Sequence, residues 1–91
     1  MVQDVHDNHA HCRFELEEAG HTAFIDYRLA AGVITLVHTE VPPELSGKGV
    51  GSRLVRGALE LVRAKGLKVV ARCSFVAAYM SKHPEFNGLR A

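Results

Sequence analysis

The chain has 91 residues, of which 47% are apolar and 23% charged, with eleven Lys plus Arg against ten Asp plus Glu and a formal net charge of +1. That length holds one domain with a modest core, and the charge balance supplies no bulk attraction for nucleic acid or an anionic membrane, so any anion site has to be local. The longest apolar stretches, such as 33–37, fall far short of the roughly 20 residues that cross a bilayer.

Residues 1–11 are polar and rich in His and Asp without a sustained period, which predicts a loosely held lead-in to a single domain over 12–91. The opening lacks the basic-then-apolar pattern of a secretory leader, and two cysteines, Cys12 and Cys73, are too few for a disulfide framework. A cytoplasmic location with free thiols is expected. From Arg13 the pattern alternates: Phe14, Leu16 and Phe24 around a break at Ala19-Gly20, with Asp26 and Arg28 set against Ile25 and Tyr27, which is a hairpin signal. Ala31-Gly32 marks the next turn, and the β-branched run 33–41 reads as a third strand, closed by Pro42-Pro43 because neither proline can donate to a ladder.

At Val50 the period changes. Val50, Leu54, Ala58, Leu61 and Val62 share one helical face, with Arg53, Arg56, Glu60 and Arg63 opposite. Gly66 follows the basic end of this run and suits the position after a helix C-cap. LKVVARC is then a short strand, and SFVAAYMSKHP a second helix, with Ser74 as expected N-cap and Pro84 as end marker. The expected class is α/β (α+β): three antiparallel strands leading into a βαβα unit whose last strand is parallel to the third.

ELSGKGVGSRLVRGALE joins the third strand to the long helix and places Gly47, Gly49 and Gly51 at alternate positions. A Walker A reading fails, because its first Gly falls on Pro42 and its Ser or Thr on Gly49. A dinucleotide fingerprint begun at Gly47 ends on Ser52, and Lys68, Val69 and Val70 stand where an acidic ribose partner belongs. What survives is Ser46-x-x-Gly49-x-Gly51 at the start of a helix, a place where successive N–H groups and the positive end of the helix dipole favour a phosphate.

This pattern resembles motif A of the GCN5-related N-acetyltransferases, (Arg or Gln)-x-x-Gly-x-(Gly or Ala), with Ser46 in place of the first residue. Residues 12–86 are similar throughout to the small, truncated members of the YjdJ type. The resemblance implies a minimal acyl-CoA N-acyltransferase-like fold and acetyl-coenzyme A as co-substrate. The N–H groups of Gly47, Lys48, Gly49, Val50, Gly51 and Ser52 would then hold the pyrophosphate, and the backbone of Thr39, Glu40 and Val41 would pair with the pantetheine arm. It also implies an N-acetyltransferase acting on an amine, small or on a protein. Full-length relatives carry helices between their first two strands, where this chain has a short turn, so a binding module or subunit that holds acetyl-coenzyme A with little turnover is the alternative.

Acetyl transfer needs a base for the amine, donors for the oxyanion and an acid for the thiolate. By the resemblance Tyr79 is the acid, although a Tyr on a helix also serves as a core residue. Cys73, ending a strand before a helix, is either a nucleophile activated by the helix N-terminus or a small buried side chain. Glu40 and His38, at alternate strand positions, are the candidate bases. His6, His9, His11 and Cys12 lie close in sequence but on the lead-in, so no metal is assigned.

Overall fold

The computed structural model describes residues 5–91 and contains one five-stranded sheet in the order β1-β2-β3-β4-β5. The strands are β1 (Val5–Asn8), β2 (Arg13–Glu18), β3 (His21–Ala30), β4 (Val33–Glu40) and β5 (Lys68–Ala71), and the long helices are α1 (Val50–Ala64) and α2 (Ser74–Lys82). Neighbours among the first four strands are antiparallel, and β5 is parallel to β4. The crossover from β4 to β5 is α1, as the βαβ pattern predicts.

Register sorts the side chains. Phe14 pairs with Ile25 and Leu16 with Ala23, and these join Tyr27, Ile34, Leu36 and Val69 on the inner face against Leu54, Val55, Ala58, Leu59 and Val62 of α1 and Val76 and Met80 of α2. Each fully buried side chain of this size contributes about 1.5–3 kcal/mol of transfer free energy. Both helices therefore cover the same face. Phe24, expected to alternate with Phe14 and Leu16, pairs instead with Glu15 and lies on the other face, where among the described residues only Glu15 is buried, at 6% exposure.

The lead-in expectation is corrected for residues 5–11; residues 1–4 of it lie outside the described residues. Val5–Asn8 adds a fourth antiparallel strand, and His9–His11 is a short 3-10 turn. Two carboxylates explain why a polar segment is held. On the inner side, Asp7 accepts from the Tyr27 hydroxyl at 2.6 Å and from Lys65 Nζ at 2.6 Å. On the outer side, Glu15 accepts from Asn8 at 3.1 Å and from Arg13 Nε at 2.6 Å, with His6 Nε2 3.1 Å away. Partners so distant in sequence leave no periodic signal.

Helix ends follow local chemistry. After Lys65, the Gly66 N–H bonds Arg63 O and the Leu67 N–H bonds Val62 O, the paired bonds of a Schellman stop. Ser74 is corrected as N-cap: Cys73 holds that position in extended conformation and Ser74 is the first helical residue.

Candidate functional site

The loop after β4 runs from Val41 through Pro42 into a 3-10 turn, Pro43–Leu45, whose Leu45 is buried and pins the loop to the core. Gly49 is the N-cap of α1 with φ 72°, a left-handed conformation that costs an L side chain roughly 1–2 kcal/mol. No side chain caps the helix and no acidic residue occupies its first turn. Among the described residues the first-turn N–H groups therefore have no protein acceptor, at the positive end of a 15-residue helix. Lys48 is exposed beside them.

Beyond Gly49, the chain is crowded from one side. A Cβ built on Gly51 meets Phe75 Cζ at 2.7 Å and Val41 Cγ2 at 3.6 Å. The tip of the Phe75 ring thus rests on the first turn of α1, yet the residue stays 44% exposed.

A bulge organises the adjoining strand. Pairing of β3 with β4 slips between Asp26 and Tyr27, so that Tyr27 faces Leu36 while Asp26 faces His38. Val37 is the unpaired residue, and a one-residue slip exchanges the faces beyond it. Thr39 opposes Ile25 on the inner side; His38 and Glu40 oppose Asp26 and Phe24 on the outer. On its other edge β4 pairs with β5 only as far as Leu36, whose carbonyl accepts from the N–H groups of both Arg72 and Cys73. Residues 37–41 have no strand on that side among the described residues, which leaves a backbone edge free for an extended ligand.

Cys73 stands where β5 has parted from β4. Its sulfur lies 3.2 Å from Thr39 Oγ1. Burial pushes the thiol up, but the Thr39 hydroxyl and the backbone N–H groups of Val76 and Phe75 outweigh it and hold Cys73 below the ordinary thiol value. A thiolate at a helix N-terminus is the expected beneficiary of that arrangement.

Glu40 is exposed, with His38 Nε2 3.1 Å from its Oε1, and His38 meets Phe24 edge-on at 6.4 Å between ring centroids. This pair is on the face opposite Cys73. Tyr79 is buried, stacked on His83 with centroids 3.8 Å apart; burial raises its phenol, with Arg56, Glu85 and Glu60 as its charged neighbours. No hydrogen bond joins it to Cys73 or Thr39. The structure thus gathers the loop 47–52, residues 39–41 and Cys73, and sets Glu40 across the strand and Tyr79 deeper along α2.

Sequence reading missed Phe75, the Thr39 hydroxyl and the bulge. A large apolar residue at the second position of a helix with a weak apolar stripe was the available signal for the first. His9 lies 3.5 Å from Asp7 and His11 3.4 Å from Asn8, so these histidines serve local contacts, and among the described residues no three His, Cys, Asp or Glu side chains converge as a metal site requires.

Residues 13–89 match the family model of the GCN5-related N-acetyl-transferases. Protein NATD1 of Gallus gallus and that of Mus musculus are each 33% identical over 52 residues, covering 57% of this chain and 47% of theirs; the chain spans about half the length of the curated relatives it matches. The NMR solution structure of a GCN5-like protein from Staphylococcus aureus superposes with a TM-score of 0.71 at 28% identity, over 100% of this chain and 91% of that one.

Proposed function

The chain belongs to the GCN5-related N-acetyltransferase family, and we propose that it binds acetyl-coenzyme A at the 47–52 loop and transfers the acetyl group to an amine. The observation that carries this is the meeting of an uncapped helix N-terminus, a free backbone edge over 37–41 and the Cys73 thiol along one continuous path. A ligand with a pyrophosphate at one end, an extended amide-bearing arm and a thioester at the other matches that sequence of groups. Lys48 is an exposed cation on that loop, with Arg53 and Arg56 following on α1.

In the transfer, the amine nitrogen attacks the thioester carbonyl, the tetrahedral oxyanion collapses, and the coenzyme leaves as a thiolate. Glu40, with His38 beside it, stands on the face opposite Cys73, so the amine enters neutral and its proton passes to solvent rather than directly to that carboxylate. Tyr79, whose raised pKa keeps it protonated, is the acid that neutralises the thiolate. Cys73 has the alternative role of first acceptor, in which its thiolate takes the acetyl group as a thioester and passes it on to the amine.

Thermal unfolding with acetyl-coenzyme A tests the binding step. A ligand at about 100 times its Kd stabilises the fold by about 2.7 kcal/mol, and Gly49→Glu, which sets a carboxylate in the phosphate position, abolishes the gain. Absence of a shift at millimolar ligand overturns the proposal. One observation favours a second reading, a module that holds acetyl-coenzyme A without fast turnover: Ala19-Gly20 alone joins β2 to β3, and the outer face beside Glu40 lies open. Ligand binding without transfer to any of a panel of amines selects that reading.

A further inference from the structure

From the placement of Phe75 we infer that this ring is the gate of the site: the residue that the thiol-bearing arm of the ligand must displace on entry, and that a ligand lacking the arm leaves untouched. The inference rests on the coenzyme A reading. It starts from the path between the two ends of the site. The phosphate end is the first turn of α1, and the acyl end is Cys73, the N-cap of α2. Phe75 lies two residues after Cys73, its own N–H among the donors to the thiol, and its ring tip touches the first turn of α1 at Gly51. The ring therefore bridges the two helix N-termini, and Val41, the last residue of the free strand edge, borders the same spot.

Three features make this ring a moving part. At 44% exposure it has open solvent to turn into. Its contact on α1 is Gly51, which presents no side chain to it. The space it fills lies beside the edge along which an extended arm would run. A rotamer change of a half-exposed side chain takes picoseconds to nanoseconds, far faster than ligand arrival. The gate thus acts as a pre-equilibrium that lowers the observed association rate in proportion to the open fraction. A ligand that stops at the phosphates meets the N–H groups at the helix end, whereas the ring rests on the Cβ side of Gly51.

Adenosine 3′,5′-bisphosphate carries the nucleotide with its 3′-phosphate and the first of the two 5′-phosphates, without the second phosphate or the arm, and serves as the armless control. In the wild-type chain, NMR is expected to show a nuclear Overhauser contact between the Phe75 ring and the Gly51 α-protons that survives saturation with the bisphosphate and vanishes with coenzyme A. In surface plasmon resonance, Phe75→Ala is expected to associate with coenzyme A about tenfold faster, the order set by removing the partial uncovering of an aromatic ring, with unchanged affinity for the bisphosphate. Phe75→Leu, a smaller change, is expected to fall between. Persistence of the ring contact in the coenzyme A complex, or equal association rates for wild type and both variants, overturns the gate while leaving the binding site standing. If the wild type binds neither ligand, the coenzyme A reading is overturned and the gate with it.

Discussion

The hydroxyl of Thr39 lies 3.2 Å from the sulfur of Cys73, so a residue inside β4 and the N-cap of α2 meet at one reactive atom. Because this bond and the N–H groups of Val76 and Phe75 outweigh the burial that raises the thiol, Cys73 titrates below its ordinary value of 9.0. Alkylation by iodoacetamide, followed against pH with Cys12 replaced by Ser, is expected to show a midpoint below that value. Thr39→Val is expected to move the midpoint upward. A wild-type profile centred at or above 9.0 contradicts this account of the site.

Glu15 is a buried carboxylate on an otherwise open sheet face, held below the usual range first by the Arg13 hydrogen bond. A carboxyl depressed in the folded state contributes stability above its unfolded pKa and loses it as pH falls through the folded one. Glu15→Gln is expected to cost about 2 kcal/mol at pH 7, the scale of hydrogen bonds to a charged group. Below the ordinary Glu value of 4.5 the difference from wild type should narrow. Urea midpoints at pH 7 and in acid measure both; a constant gap excludes the mechanism.

The two-residue turn between β3 and β4 holds Ala31 at φ 53° and Gly32 at φ 78°. Positive φ at both positions is the turn that favours Asn-Gly, and Ala is strained at the first of them. Ala31→Asn is expected to stabilise the fold by about 1 kcal/mol, seen as a rise in Tm of roughly 4–8 °C for a domain of this size. An unchanged or lower Tm shows that the turn carries no such strain.

Gly51 is helical, and alanine there should gain about 0.5–1 kcal/mol of helix propensity, yet its Cβ would stand 2.7 Å from Phe75 Cζ. The two substitutions should therefore couple. Gly51→Ala alone is expected to be near neutral, whereas in the Phe75→Ala background it should recover the full gain. Chemical denaturation of the four proteins gives the coupling directly, and strict additivity shows that ring and glycine are not in contact.

The sequence made the framework legible wherever a period or a turn residue was at stake. Ala19-Gly20, Ala31-Gly32 and Pro42-Pro43 bound the strands, and the switch at Val50 opens α1. The glycine loop was equally visible, since helix N-termini and glycines declare themselves locally. What stayed hidden depends on partners remote in the chain. Asp7 earns its place through Tyr27 and Lys65, and the Val37 bulge exists only relative to β3. The same slip decides that Thr39, cited for its backbone, offers its hydroxyl to Cys73, while Glu40 turns away.

The ion pair between Asp7 and Lys65 spans 58 positions of sequence and ties the outermost strand to the far end of α1. An edge strand of four residues would ordinarily fray independently of the body of a protein. Here, opening that edge also breaks the hydrogen bond to Tyr27 and releases the helix terminus. Amide protons of β1 that bond to β2 should accordingly exchange with the same free energy as those of α1, by global opening. What reads as a tail in the sequence is then part of the cooperative unit, and its removal should lower the stability of the whole domain.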